Sequence, residues 1–308
     1  MDASKAHFYA PAGRFFVEGA DSAHFLQGQF SQDLRGEAGS CFYGLWLNHK
    51  GKIKADSFLL KLSERRFLVM SYFGETQSLR DNLEGRIIMD EVETKVPEKA
   101  AKAIVVWGAS IDSALDVCGM DRPGSNEFRS NGDVYAFWGR RGNEENLEIV
   151  DINGSIIDKL KQRFLSDGVQ LLNSEAIDHL ALTSGRFQVG KDILESDLPQ
   201  EVGLAESAVS YAKGCYIGQE VMARLKSMGR PRRSLECVSV SDFIEGGAPW
   251  DLVTADGVKA GELRRVVEGE EPMAGSAMIK KSVEDRRLFL VEEKSDIRVE
   301  RLARGTEA

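Results

Sequence analysis

Cys215 is the side chain best placed for chemistry in this sequence. It lies between Gly214 and Gly218, and residues 219–226 read as a helix carrying Val221, Met222 and Leu225. A thiol on a glycine-permitted turn just ahead of a helix meets free backbone N–H groups and the positive end of the helix dipole. Lys213 stands close by in sequence. Both influences favour the thiolate, which is the nucleophile and the metal ligand. Glu220 falls in the first helical turn, where a carboxylate is favoured and can also meet a ligand's donor. Arg224 follows it at i, i+4, so the two can simply pair with each other. Tyr216 can stack on a ligand or pack the turn.

A basic run comes next: Arg224, Lys226, Arg230, Arg232 and Arg233, with no acid from 221 to 234. In a chain of net charge -9 this is a local inversion. It suits an anionic ligand such as a polyglutamate tail, a phosphate or an RNA backbone, and it equally suits a solvated linker. The overall negative charge argues against bulk nucleic-acid binding. The other cysteines, Cys41, Cys118 and Cys237, form no C-x-x-C pair, and the four histidines make no ligand-like cluster. Neither a structural zinc site nor a disulfide framework is expected; those three cysteines read as small buried apolar residues.

Further candidates lie upstream. Asp56 sits on an apolar, alternating stretch, where it could bind a ligand edge or simply face solvent. Asp33 could be a site acid or a loop cap. Lys50 and Lys52 flank a hairpin glycine and read as solvated. The four tryptophans read as core or barrel residues.

The elements that must position these groups alternate strand and helix. Strands are expected at 14–17, 41–47, 53–62 and 66–72, with a helix after Asp21 and Ser22 and a turn over 48–52. A helix is expected over 77–89, on the four-residue spacing of Leu79, Leu83 and Ile87. A second set follows: strands at 92–96, 103–107, 134–138 and 147–150, helices at 111–118, 156–165 and 174–184, the last capped by Ser174. Residues 122–132 and 139–145 read as polar loops. Beyond Pro231 the texture changes to short β-prone runs at 235–240, 258–267, 277–281, 288–292 and 297–302, separated by turns at Gly246, Gly247, Gly257 and Gly269. That spacing predicts a small β-barrel. The fold class is therefore α+β. The expected division is 1–232, in two α+β subdomains, and 233–308, the barrel. The 308 residues, 42% hydrophobic and 29% charged, leave room for these cores. No run nears the roughly 20 apolar residues of a membrane span, and the first ten residues carry no signal pattern, so a cytoplasmic protein with no membrane partner is expected.

The run Lys213-Gly214-Cys215-Tyr216-Ile217-Gly218-Gln219-Glu220, followed by Ala223-Arg224, resembles the signature of the YgfZ-like folate-binding proteins, a branch of the glycine-cleavage T-protein superfamily. Residues 25–34 and 47–56 resemble that family's N-terminal helix-and-loop and hairpin motifs. Residues 190–193, 198–201 and 261–263 fall where its members carry related segments.

The resemblance implies a three-domain cloverleaf of the T-protein type: two α+β domains, the first completed by a returning segment, and a C-terminal β-barrel around a central folate channel. It implies tetrahydrofolate or a derivative as cofactor, with no resident metal. It implies iron–sulfur enzymes or their assembly factors as partners, tRNA-modifying enzymes included, with direct tRNA contact a further option. Cys215 is then the reactive thiol, with Asp56, Lys213, Tyr216, Gln219, Glu220 and Arg224 as folate-binding residues. The alternative is a tetrahydrofolate-dependent one-carbon transferase. Two departures count against it: the T-protein's paired acids read Ala55-Asp56 here, and Thr183 stands where that family has a folate-contacting glutamate. A neutral threonine cannot orient a pterin's N–H donors as a carboxylate does.

Overall fold

The computed structural model describes residues 4–242, 244, 247–267, 272–291 and 298–302. The expected turns at Gly246 and Gly269, the strand ends at Glu292 and Ile297, and residues 303–308 lie outside the described residues.

The chain opens with β1 (Lys5–Tyr9), then β2 (Gly13–Glu18), α1 (Ser22–Gln29), β3 (Cys41–Leu47), β4 (Ile53–Ser63) and β5 (Arg66–Ser71). Next come α2 (Thr76–Glu84) and β6 (Glu93–Lys95). Strands β2 to β6 form a five-stranded sheet in the order β3-β4-β5-β2-β6. Its outer face packs on α1 and α2 through Phe25, Leu26, Leu79 and Leu83. Helix α2 stops at Glu84, five residues short of expectation. Gly85, a poor helix former, lets the chain turn there, and Ile88 and Met89 stand exposed beyond it.

A second unit follows: β7 (Lys102–Trp107), α3 (Ser110–Cys118), β8 (Phe128–Asn131), β9 (Val134–Trp138), β10 (Asn146–Asp151), α4 (Ser155–Ser166) and β11 (Gln170–Leu171). These strands form a six-stranded sheet, β11-β1-β7-β10-β9-β8. The first strand thus belongs to the second sheet, with Ala6 opposite Val106. The two sheets meet face to face through Phe58, Leu60 and Met70 on one side and Tyr135, Phe137 and Val150 on the other.

Helix α5 (Ser174–Thr183) leads back toward the first sheet; its cap is Asn173, whose side chain accepts from Ala176 N at 2.8 Å, one residue ahead of the expected Ser174. Then α6 (Ala205–Ala208) and α7 (Gln219–Met228) pack with Leu45, Leu47 and Ile53. Strand β12 (Arg233–Val240) begins the last unit, continued by β13 (Trp250–Val253), β14 (Lys259–Val267), β15 (Met273–Lys280), β16 (Arg287–Leu290) and β17 (Arg298–Arg301). They close into a six-stranded barrel, β12-β15-β14-β13-β16-β17, filled by Val238, Leu252, Ile279 and Leu288. Mixed sheets followed by a barrel are the α+β arrangement the sequence predicts. Among the described residues no helix is long and apolar enough to cross a membrane.

Candidate functional site

The segment carrying Cys215 is held from below. Lys213 is buried, and its ammonium donates to Phe30 O and Gln32 O, both at 2.8 Å. Burial pulls its pKa down to about 8. The ammonium is thus committed to two backbone carbonyls, which gives it a structural task in place of the ligand contact expected from its sequence position. Tyr216 lies over this ammonium, its centroid 5.0 Å from Nζ, and burial raises its hydroxyl to about 12. Gln219 donates to Lys213 O at 3.3 Å.

Two glycines bring the β3–β4 hairpin against α7. Gly218 has φ +86°, and a Cβ there would come within 2.9 Å of Asn48 O. Gly51 has φ +71°, and a Cβ would meet Met222 Cε at 2.7 Å. Only glycine occupies both conformations without strain. The Asn48 carboxamide oxygen in turn accepts from Lys50 N and Lys52 N. The result is a shallow depression of about 430 Å³ lined by Gly28, His49, Cys215, Tyr216, Gln219 and Glu220, among others. Three segments far apart in sequence, all singled out by the resemblance, meet at this thiol.

Cys215 is exposed, whereas Cys118 is buried and Cys41 and Cys237 partly so. Burial drives the thiols of Cys118 and Cys237 up to about 11 and that of Cys41 higher still. Glu220 and Arg224 form the local pair, 3.2 Å apart, on the solvent side. The basic run is partly spent: Arg233 binds Asp197 and Glu201, and Lys226 lies 4.0 Å from the Tyr211 ring centroid.

Asp56 is elsewhere. It is buried on β4, where the first sheet, the second sheet and the returning segment meet. Oδ2 accepts from the Tyr43 hydroxyl at 2.8 Å, while Oδ1 has no hydrogen-bond partner among the described residues. Burial raises the Asp56 pKa, opposed by Tyr43, Arg140 and Arg141. Arg140 lies 4.1 Å from the Tyr43 ring centroid and donates to Ser207 Oγ at 3.1 Å. Tyr43, Phe58 and Arg140 line a more enclosed groove of about 420 Å³, together with Asp33 and Trp138. Asp33 is clasped by Arg35 and Gln27, and these donors hold its carboxyl well below the usual range.

Behind Arg140 sits a buried cluster that the sequence did not flag. Glu148 is fully buried and accepts from Tyr9 at 2.6 Å and Tyr72 at 2.7 Å. The Arg141 guanidinium rests against both rings, 4.3 and 4.1 Å from their centroids. Tyr72 OH also accepts from Arg140 N at 3.2 Å, which fixes the loop.

The site residues expected from sequence therefore fall in two places. Cys215, Tyr216, Gln219 and Glu220 share the thiol depression, with Lys213 beneath it and Arg224 beside it. Asp56 lies behind the inter-sheet groove, joined to it through Tyr43, which lines it. The two depressions share no lining residue. The loop after α1 runs between them: Lys213 grips Gln32 O, and Gln32 also lines the groove. Thr183 is exposed and returns its hydroxyl to His179 O at 2.9 Å, so it contributes nothing to the groove.

Two antiparallel-rich sheets, a returning segment and a closed barrel define a T-protein-type cloverleaf. The structure superposes on the crystal structure of glycine cleavage system aminomethyltransferase T from Bartonella henselae with a TM-score of 0.82, over 98% of this chain and 85% of that one, at 20% identity. Residues 9–127 match the GCVT N-terminal domain family. The tRNA-modifying protein YgfZ of Edwardsiella ictaluri is 30% identical over 71% of this chain and 66% of its own length. An iron-sulfur cluster assembly factor IBA57 homolog of Aspergillus clavatus is 24% identical over 79% and 58%. An aminomethyltransferase of Francisella philomiragia is 27% identical over 69% and 62%. The chain belongs to the glycine-cleavage T-protein superfamily as a YgfZ-like member. It aligns with less than two thirds of the length of each of these three curated relatives.

Proposed function

We propose that this chain holds a reduced folate between its two sheets and serves iron–sulfur enzymes, tRNA-modifying ones among them, as a cytoplasmic accessory factor. Asp56 carries the reading. A buried carboxylate oxygen with no donor is costly and calls for a ligand N–H. The aromatic walls, Tyr43 and Phe58, suit a flat heterocycle such as a pterin. The residues present thus fit the cofactor. Relatives named for tRNA modification and for iron–sulfur cluster assembly support the second half of the reading.

Cys215 is the reactive thiol in this proposal. A cluster takes four protein ligands and Cys215 supplies one, so its task is transient thiol chemistry or a share in a partner's cluster. The test has two arms. Asp56→Asn is expected to weaken tetrahydrofolate binding at least about tenfold by calorimetry, the scale of one charge-assisted hydrogen bond. Cys215→Ser is expected to bind folate as the parent does and yet fail to restore iron–sulfur enzyme activity in a deletion strain. Full rescue would remove the thiol from the reading.

A second reading, a folate-dependent aminomethyl or methyl transferase, is favoured by Asp56 and by relatives named aminomethyltransferase. Ala55 and Thr183 weigh against it. Formation of methylene-tetrahydrofolate from candidate methylamine donors would establish it. Direct tRNA contact has Arg230 and Arg232 as its exposed cations. Neutralising both leaves tRNA affinity unchanged if the run is only a linker.

A further inference from the structure

The loop over 86–91 sets two large apolar side chains in solvent. Ile88 is 86% and Met89 92% exposed, the highest values among the large hydrophobics of the described residues. Single exposed apolar residues are ordinary; two adjacent ones that add nothing to their own core mark a contact surface. The loop itself is anchored. Ile87 and Ala23 of α1 both pack on the core of the first sheet. The Arg86 guanidinium donates to Gln29 Oε1 at 3.1 Å at one end of α1, and the Asp21 carboxylate accepts from Glu91 N at 2.8 Å at the other. Helix α1 has eight residues and is about 12 Å long, so the apolar pair and the thiol depression, which Gly28 lines, fit under one partner. Gly28 is not required by the fold. Glycine inside a helix is less stable than alanine, yet a Cβ at 28 meets nothing within 4 Å and its φ is not left-handed. Among the described glycines only Gly214 and Gly247 share that condition. Gly214 immediately precedes Cys215. Two glycines that the chain does not need thus keep the surface around the thiol bare, as close approach by a second molecule demands.

We propose that this face, from the bare surface at Gly28 and Gly214 to Ile88 and Met89, docks the iron–sulfur protein that Cys215 serves. Charge decides the class of partner. Arg86 is the only cation from 81 to 94, whereas Asp90 and Glu91 adjoin the apolar pair and Asp21 lies against Glu91. A nucleic-acid backbone is repelled there. The surface that fits is a protein face with an apolar centre and a cationic rim. The proposal rests on the accessory-factor reading above and adds where the client protein sits.

The test uses the full chain in the deletion strain, with restored iron–sulfur enzyme activity as the readout. The double variant Ile88→Ser with Met89→Ser is expected to restore at least about tenfold less activity than the parent, as the loss of central apolar contacts does. Its tetrahydrofolate affinity and its rate of Cys215 alkylation by iodoacetamide are expected to match the parent's. Asp90→Lys with Glu91→Lys reverses the charge beside the pair and is expected to lose activity likewise. Gly28→Ala is expected to melt at a higher temperature than the parent and still restore less. Full restoration by the serine double variant overturns the proposal. So does a loss of activity matched by equal losses in alkylation rate and folate affinity, because the damage is then structural. Two other occupants are read from the same proteins. A parent that is dimeric by light scattering and monomeric as the serine variant puts a second copy on this face; tRNA affinity lost in that variant puts RNA there. Either result overturns the proposal. If the parent restores nothing, the accessory-factor reading falls and this inference with it. If Cys215→Ser restores fully and the serine double variant does not, only the thiol part of that reading falls and the docking face stands.

Discussion

Asp56 shows how the proposed site residue differs from a packing residue. Its pKa is raised by burial, so the folded state binds its proton more tightly than the unfolded chain does. The stability it contributes is then full below the ordinary carboxylate value, 3.8, and is lost as pH rises through the folded value. Asp56→Asn removes the charge and keeps the shape. The variant is expected to be more stable than the parent at pH 8 by about 1–3 kcal/mol, the cost of an unsatisfied buried group. The gain should shrink as pH falls and the parent's carboxyl takes up its proton. Urea unfolding at pH 8 and pH 4.5 measures this; an equal difference at both would show that the carboxyl does not titrate. Gained stability with lost folate affinity is the signature of a functional charge. Asp56 was visible in the sequence only through its place in a motif. Arg140 and Arg141 were not visible, because residues 139–145 have the polar, glycine-bearing texture of a solvated loop, and Glu148 was not, because a lone carboxylate on a strand reads as facing solvent. The partners that bury them, Tyr9 and Tyr72, lie in other parts of the chain. Lys213 is the opposite case. Its sequence position suggested a neighbour for the thiol, and only the fold shows the ammonium turned to the carbonyls of Phe30 and Gln32.

At the scale of elements, the thiol depression depends on how closely the β3–β4 hairpin approaches α7. Gly218→Ala forces a Cβ to 2.9 Å from Asn48 O with φ near +86°. The hairpin must then retreat. The expected cost is about 1–3 kcal/mol of strain and misfit. More tellingly, the depression should open, so modification of Cys215 by a bulky thiol reagent should speed up relative to the parent. Gly39→Ala is a control, since a Cβ there meets nothing within 4 Å despite φ +99°. Its melting temperature should fall while reagent access to Cys215 stays at the parent's rate. Strand β13 of the barrel, four residues long, was missed, whereas the hairpin, α7 and the other barrel strands were legible because their patterns are local. Strand β1 was not. Lys5–Tyr9 is short and mixed in character, and its partner, β7, begins nearly a hundred residues later. A pairing at that separation leaves no periodic trace in either segment. Helix α2 was read five residues too long because Ile87 keeps the four-residue spacing although Gly85 has already ended the helix.

At the scale of the whole molecule, one stretch of irregular chain joins the first sheet to the barrel. The backbone oxygen of Asp197 accepts from Ile53 N at 3.0 Å, which ties it to the first sheet. Its carboxylate, fully buried, meets Arg264 of the barrel at 2.5 Å and Arg233, where the barrel begins, at 3.1 Å. Nearby, Asp192 accepts from Ser276 Oγ of the barrel at 2.8 Å, and Asp178 of α5 pairs with Arg265. The barrel's orientation is therefore set by buried charge as well as by apolar contact, such as Leu182 with Val267 and Ala274. Breaking a buried pair by removing one partner typically costs about 3–5 kcal/mol, whereas replacing both by well-packed apolar groups is often near neutral. Asp197→Asn leaves Arg264 and Arg233 short of a counter-charge and is expected to loosen the barrel from the sheets. The exposed chain after Arg232 would then be cut by trypsin several-fold faster than in the parent. The double change Asp197→Leu with Arg264→Met removes the pair together and should recover much of the resistance. If the double variant is cut as fast as Asp197→Asn, the dock depends on hydrogen bonds that no apolar pair replaces. Raising salt separates the two contributions further, because exposed ion pairs are screened and this one, with Arg264 at 1% and Asp197 at 0% side-chain exposure, is not. Trypsin resistance of the parent should accordingly be the same at low and at high ionic strength.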